Sequence, residues 1–205
     1  MGSEKQSPVS GLVRARKIGA QYFTRPMVKL LARTSVTPNT LSWTGFMVTL
    51  VAVWLIISGH HLAAGFVVLA AGFFDILDGA LARSTDRVTR FGAVLDATLD
   101  RFSEAVLLFS IVIYYALNAD EWLVIMVALV GAAVTGSFLV SYVRARAESQ
   151  GVDCQVGIST RAERVILLVL GLWLGQLVIA LAIMVVLSFI TVGQRLFHVW
   201  RQAAK

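Results

Sequence analysis

The chain is poor in the residues that cross-link a fold, build linkers or keep a surface in water. Its single cysteine, Cys154, excludes an intrachain disulfide framework and a cysteine-based metal site. Its three prolines are too few for a long polyproline linker. Charged residues make up only 15% of the chain, against about 25% in ordinary soluble domains. The low charge argues against intrinsic disorder and against a domain whose whole surface is solvated.

Apolar residues, in contrast, are abundant and occur in long runs. Hydrophobic residues make up 58% of the 205 residues, and the mean hydropathy is +0.78. This length has room for about six membrane spans of roughly 20 residues each. Six apolar segments lie near 41–59, 62–81, 93–117, 122–143, 164–174 and 177–197. They predict an all-α polytopic membrane protein with six transmembrane helices.

The N-terminal region differs in character from these segments. Residues 1–40 contain seven basic residues, no apolar run long enough to span a membrane, and no signal-peptide pattern. Over 9–33, apolar and basic residues mix at helical spacing, which predicts an amphipathic interfacial helix; the alternative is a solvated basic tail. We therefore divide the chain into a cytoplasmic N-terminal segment (1–40), a six-helix membrane domain (41–200) and a short cytoplasmic tail (201–205).

The basic residues all fall on one side of this predicted topology. The stretches that contain all 18 lysines and arginines are 1–40, 83–101, 144–164 and 195–205. The opposite side receives only two histidines and two acidic residues. Because cytoplasmic loops carry an excess of lysine and arginine, both termini are predicted to be cytoplasmic in a multi-pass protein of the cell membrane. Membrane topology thus explains the net charge of +6, and no nucleic-acid partner is predicted.

Four aspartates lie at the cytoplasmic ends of the second and third segments: Asp75, Asp78, Asp96 and Asp100. A charge inside a membrane segment costs about 2.5–3.5 kcal/mol, so these carboxylates need compensation. Spacings of three and four residues put each pair on one face of its helix. The short connection between the segments predicts antiparallel neighbouring helices. All four carboxylates are therefore expected to converge.

Converging carboxylates repel one another unless they are protonated or bridged by cations. Two divalent cations would balance four formal charges, and all-oxygen ligands suit Mg2+ or Mn2+ better than zinc. Such two-metal sites serve displacement at phosphorus. In the alternative interpretation, the aspartates simply pair with the nearby arginines Arg83, Arg87, Arg90 and Arg101. Such ion pairs would balance the charge, but they would not explain why the two aspartates of each helix lie on the same helical face.

Small residues accompany the aspartates at fixed positions. The complete pattern is Asp75-x2-Asp78-Gly79-x2-Ala82-Arg83-x8-Gly92-x3-Asp96-x3-Asp100. It resembles the signature of the CDP-alcohol phosphotransferase family, and every fixed position of that signature is present. Eight defined residues over 26 positions, on two predicted membrane helices, make this a specific resemblance.

The resemblance implies a fold, a reaction and roles for individual residues. Family members have six membrane helices, are usually homodimers, and transfer a phospho-alcohol group from a CDP-linked donor to a second alcohol, releasing CMP. By this resemblance the metals would be held by Asp75, Asp78, Asp96 and Asp100. Asp100 would also act as general base on the acceptor hydroxyl. The residues implied to bind the CDP-lipid are Gly79, Arg83, Thr89, Asn39 and Ser42.

The acceptor is suggested by a more local resemblance. The segments 141–148, 160–164 and 194–200 resemble the phosphatidylinositol-phosphate synthase branch of the family. The arginines implied to bind a phosphorylated acceptor are Arg144, Arg146, Arg161, Arg164 and Arg195. Anchoring to lipid phosphates is an equally open role for each of them. The chain departs from the branch at Arg144, where lysine is frequent, at Ala162, where proline is frequent, and at Asn39, where aspartate is common.

The predicted function is phospholipid biosynthesis by metal-dependent transfer of a phosphatidyl-type group to inositol 1-phosphate. The donor would be CDP-diacylglycerol or CDP-archaeol, since both chain types need the same apolar groove. Within the same chemistry, another acceptor such as glycerol 3-phosphate is the alternative. From a different class, the aspartates would suit a membrane cation transporter, although the internal repeats of many transporters are not apparent in this sequence.

Overall fold

The computed structural model describes residues 27, 28, 30, 36–85 and 89–203. Residues 38–203 of this part form six helices: α1 (Pro38–Ile57), α2 (His61–Ser84), α3 (Arg90–Leu117), α4 (Leu123–Ser149), α5 (Arg161–Leu174) and α6 (Leu177–Ala203). Each coincides with one of the six predicted apolar segments to within a few residues, except that α4 and α6 run further at their C-terminal ends. The interfacial helix predicted over 9–33 lies almost entirely outside the described residues.

Threonines cap the odd-numbered helices at their N-terminal ends. Thr37 Oγ1 accepts a hydrogen bond from a first-turn amide of α1 at 3.2 Å. Thr89 Oγ1 does the same for Gly92 N of α3 at 2.9 Å. At α5, the Thr160 amide donates to Glu163 Oε2 at 2.8 Å, which is half of a capping box. These bonds satisfy amides that a helix leaves unpaired at its start.

Four of the helices, α1, α2, α4 and α6, are long and apolar enough to cross a membrane. Although α3 has 28 residues, its stretch from Arg90 to Glu104 carries five charged side chains. With 14 residues, α5 extends about 21 Å and falls short of the roughly 30 Å hydrocarbon core. Large apolar side chains nevertheless cover the exterior of the protein, with Phe66 60%, Val124 78% and Leu174 69% exposed. An exterior of this kind is that of a membrane protein.

The six helices form a closed ring in the order α1, α2, α5, α6, α4, α3, each helix packing against the next and α3 against α1. This arrangement corrects one expectation, because α2 and α3 are not a tightly packed antiparallel pair. Instead α1 packs against both of them. The physical reason is that a short connection limits the distance between two helix ends but does not decide which helices pack together.

One apolar core occupies the interior of the ring away from the aspartates. Every helix contributes to it, with buried members that include Ile56, Val68, Leu108, Ile111, Met126, Val130, Leu168, Leu181 and Met184. Interior apolar packing of this density resists local rearrangement. The core therefore holds the helix ends that carry the polar side chains in fixed relative positions.

Candidate active site

Asp75 and Asp78 project from the C-terminal half of α2 toward α1. The Asp78 carboxylate is 4% exposed, and its Oδ2 accepts a hydrogen bond from Ser42 Oγ at 2.6 Å. Gly45 of α1 leaves room for Asp75, since a Cβ at position 45 would lie 3.1 Å from Asp75 Oδ1 and 3.2 Å from Phe74 Cβ. Two small or hydroxylated positions on α1 thus allow both carboxylates to approach it closely.

Arg161, the first residue of α5, lies between the two helices that carry the aspartates. Its Nη1 is 2.6 Å from Asp75 Oδ2 and also 2.6 Å from Asp100 Oδ1. Its Nε is buried and has no hydrogen-bond partner. The cation that pairs with the aspartates therefore comes from α5. Within the part of the chain that the structure describes, none of these aspartates forms an ion pair with Arg83, Arg90 or Arg101.

The four aspartates share one electrostatic environment. Asp100 interacts through space with each of the other three, and Asp96 interacts with Asp75 and with Arg161. Asp96 also interacts with Arg101. The site thus concentrates negative charge beside the guanidinium groups of Arg161 and Arg101.

A divalent metal fits this site by the chemistry of its donors. The aspartates offer only carboxylate oxygens, which are the ligands that Mg2+ and Mn2+ prefer. The guanidinium between Asp75 and Asp100 indicates in addition that the site stabilises positive charge. The described residues contain no group of three or more His, Cys, Asp or Glu side chains already arranged to hold a metal ion.

A cavity of about 350 Å³ opens beside Asp78 and Asp96, between α1, α2 and the start of α3. Its lining includes every residue predicted to bind a CDP-lipid: Asn39, Ser42, Gly79, Arg83 and Thr89. The glycines of the signature keep it open. A Cβ at Gly92 would lie 2.9 Å from Thr89 Oγ1 and 3.1 Å from Asn39 Oδ1. The structure therefore brings this predicted set together.

A second cavity, of about 260 Å³, opens on the other side of α3 beside Asp100. Four of the five predicted acceptor arginines line it: Arg144, Arg161, Arg164 and Arg195. Arg146 is not among the lining residues and is exposed on α4. Of the five predicted acceptor arginines, four therefore lie at one cavity and the fifth, Arg146, lies on the surface.

The cavity arginines have different partners. Arg195 donates from Nε to Val156 O at 2.9 Å and from Nη1 to Val140 O, which attaches α6 to α4 and to the α4–α5 loop. Arg144 pairs with the exposed Glu148 at 2.8 Å. Arg164 pairs with Glu104 and is 3% exposed.

Sequence reasoning missed two residues of this cavity, Arg101 and Glu104. A signal for Glu104 was present, because it follows Asp100 by four residues and is a carboxylate inside an apolar segment. Arg101 was considered only as a counter-ion for the aspartates. Its Nη1 instead donates to the backbone carbonyl of Ala97 on the preceding turn.

Comparison with known proteins agrees with this geometry. Residues 35–194 match the family model of CDP-alcohol phosphatidyltransferases. The chain is 34% identical over 189 residues to the archaetidylinositol phosphate synthase of Methanothermobacter thermautotrophicus, covering 87% of this chain and 93% of that protein. It is also 34% identical to the phosphatidylinositol phosphate synthase of Mycobacterium marinum, covering 86% of this chain and 79% of the other.

Solved structures show the same fold. The phosphatidylinositol phosphate synthase of Mycobacterium tuberculosis with CDP-DAG bound superposes with a TM-score of 0.78 at 33% identity, covering 86% of this chain and 93% of that one. A crystal structure of the same enzyme in complex with manganese and citrate gives a TM-score of 0.78 at 32% identity, covering 86% and 88%.

These matches favour the enzyme over the cation transporter that the aspartates alone left open. They extend over most of the chain and include the whole aspartate signature. The metal dependence expected from the donor set agrees with the manganese complex of the mycobacterial enzyme. On this evidence the chain is a membrane-embedded phospholipid-biosynthetic transferase and belongs to the CDP-alcohol phosphatidyltransferase family.

Proposed function

We propose that the protein transfers a phosphatidyl-type group from a CDP-lipid to inositol 1-phosphate and releases CMP. The observation that carries this proposal is the pair of cavities on either side of α3. Asp96 lines the cavity that contains the predicted CDP-lipid residues, and Asp100, one turn later, lines the cavity that contains the arginines. Two reactants bound in these cavities would meet at the aspartates.

The arginine cavity supports a phosphorylated acceptor. Guanidinium groups bind phosphate through paired, charge-assisted hydrogen bonds, and their charge persists at any physiological pH. Five arginines and only two carboxylates line this cavity, so it carries an excess of positive charge that an acceptor phosphate would neutralise. Inositol 1-phosphate is favoured over glycerol 3-phosphate because the similar archaeal and mycobacterial enzymes are named as inositol phosphate lipid synthases.

The chemistry follows from the position of Asp100. The acceptor hydroxyl oxygen attacks the phosphorus that bears the lipid, and the bond from that phosphorus to the bridging pyrophosphate oxygen breaks. CMP leaves with the electron pair of that bond. The hydroxyl proton passes to the Asp100 carboxylate, which acts as general base. Gly79 and Gly92 leave space for the donor, and Arg83 contributes a positive charge to its cavity.

Two divalent cations, Mg2+ or Mn2+, complete the proposed site. Asp75, Asp78, Asp96 and Asp100 would hold them. Such ions would supply positive charge that stabilises the pyrophosphate as CMP departs.

The remaining proposals concern the setting of the enzyme. We place it in the cell membrane with six spans, an N-terminal interfacial helix, and both termini and the active site on the cytoplasmic side. The one-sided distribution of basic residues supports this orientation. The family resemblance supports a homodimer.

The direct test is CMP release by the purified protein with Mg2+ and CDP-diacylglycerol, repeated with CDP-archaeol. We expect release with inositol 1-phosphate and none with free inositol or glycerol 3-phosphate. Release with glycerol 3-phosphate alone would keep the reaction and change the acceptor. A metal-replete protein that releases no CMP with either donor and any of these acceptors would contradict the proposed function.

A matched pair of variants on α4 separates acceptor binding from lipid anchoring. Arg144 lines the arginine cavity, whereas Arg146, two residues later on the same helix, does not. We expect Arg144→Gln to raise the KM for inositol 1-phosphate about tenfold, the effect of losing one charged hydrogen bond, and Arg146→Gln to leave it unchanged. Equal effects of the two substitutions would assign Arg144 to the membrane surface.

A further inference from the structure

Glu104 is a buried carboxylate to which the proposed reaction assigns no step. It lies on α3 one turn beyond Asp100, and 9% of it is exposed. Its Oε1 accepts from Arg164 Nε at 2.5 Å, and its Oε2 accepts from Arg164 Nη2 at 2.9 Å. Ser137 of α4 donates to the same Oε2 at 2.7 Å. Both carboxylate oxygens are therefore engaged.

Arg164 is held just as completely. Its third nitrogen, Nη1, lies 3.5 Å from the Ser159 carbonyl oxygen in the segment that leads into α5. All three guanidinium nitrogens thus have protein partners. A guanidinium committed in this way is poorly suited to act as the main ligand of an incoming phosphate, although it lines the same cavity.

This network joins three of the four helices that line the arginine cavity. Glu104 comes from α3, Ser137 from α4 and Arg164 from α5. Arg164 also lies one helical turn after Arg161, the residue that contacts Asp75 and Asp100. Because Glu104 holds Arg164 in place, it also fixes the first turn of α5. The backbone position from which the Arg161 side chain extends is fixed in the same way.

We propose that Glu104 is a positioning residue for acceptor binding, acting through Arg164 on the first turn of α5. The inference rests on the proposed function, since it concerns the cavity assigned there to the acceptor. It also revises the predicted acceptor set, because Arg164 becomes part of the support and not a phosphate ligand. A buried ion pair is weak evidence for a purely stabilising role, since apolar replacements of such pairs are often neutral or stabilising.

The test compares Michaelis constants for the two substrates in purified variants. Glu104→Gln keeps the side-chain size and removes the charge that holds Arg164. It is expected to raise the KM for the acceptor about tenfold while leaving the KM for CDP-diacylglycerol unchanged. Ser137→Ala removes only the supporting hydrogen bond and is expected to raise the acceptor KM about threefold.

Ser110→Ala is the matched control. Ser110 is a fully buried serine on α3 whose hydroxyl bonds to the Leu107 carbonyl and not to Glu104. This variant should change neither KM. If Glu104→Gln fails to fold, as judged by its thermal unfolding, Ser137→Ala decides the matter. The inference is overturned if the acceptor KM of the folded variants stays at the wild-type value, or if both KM values rise together.

The outcome is distinguishable from failure of the proposed function. The acceptor KM is measured for whichever phosphorylated alcohol drives CMP release by the wild-type protein. If that alcohol is not inositol 1-phosphate, the proposed acceptor is wrong, yet a selective rise in its KM still supports the positioning role. Wild-type protein that releases no CMP with any phosphorylated alcohol overturns both statements, because no acceptor then uses this cavity.

Discussion

Replacement of Asp100 by asparagine is expected to lower CMP release by about 10³-fold, within the range that general acid–base catalysis contributes. The amide keeps the shape of the side chain but accepts no proton from the acceptor hydroxyl and brings no negative charge to the site. The rate is measured with saturating CDP-diacylglycerol and acceptor, so that binding changes do not hide the effect.

Asp153→Asn is the appropriate control for this substitution. Asp153 is an exposed aspartate of the α4–α5 loop, so its variant should retain the wild-type rate. Binding of CDP-diacylglycerol to Asp100→Asn should also persist, because Asp100 does not line the donor cavity. An Asp100→Asn rate within tenfold of the wild type would remove Asp100 from the role of base.

The second large effect is expected at Arg161. Arg161→Gln removes the guanidinium from between Asp75 and Asp100 and leaves their carboxylates without that counter-charge. Mn2+ should then bind about tenfold more tightly, because the metal no longer competes with an internal cation. In EDTA, the free energy of unfolding should fall by about 1–3 kcal/mol through the loss of charged hydrogen bonds.

Titration of Mn2+ followed by electron paramagnetic resonance measures the affinity, and denaturant unfolding in EDTA measures the stability. Arg144→Gln is the control, since Arg144 pairs with an exposed glutamate on its own helix and its loss should leave Mn2+ affinity unchanged. Unchanged or weaker Mn2+ binding by Arg161→Gln would show that the guanidinium does not compete with the metal.

The sequence predicted features that depend on residues near one another in the chain. The apolar runs located all six helices, and the spacing of the aspartates correctly placed two carboxylates on each of two helices. Such features follow from helical periodicity alone.

Features that depend on distant segments were harder to predict. Arg161 pairs with Asp75 across 86 positions, and no spacing rule indicates which of 18 basic residues will make that contact. The separation of α2 from α3 by α1 escaped prediction for the same reason, since a short connection restricts distance but not packing partners. Glu104 could have been singled out from the sequence as a carboxylate within an apolar segment. Its pairing with Arg164, in contrast, depends on where the fold places α3 and α5.

The two cavities also differ in the helices that enclose them. The cavity beside Asp96 is lined by α1, α2 and α3, and the cavity beside Asp100 by α3 to α6 and the segment before α5. If the donor is a membrane lipid and the acceptor is dissolved in water, α3 separates two reactants whose concentrations are defined differently. The donor concentration is an amount per membrane area, and the acceptor concentration is an amount per volume. The turnover rate would then depend on the mole fraction of donor in the bilayer and, independently, on the molarity of acceptor in the surrounding water. Diluting the membrane with inert lipid would slow the enzyme as effectively as withholding its soluble substrate.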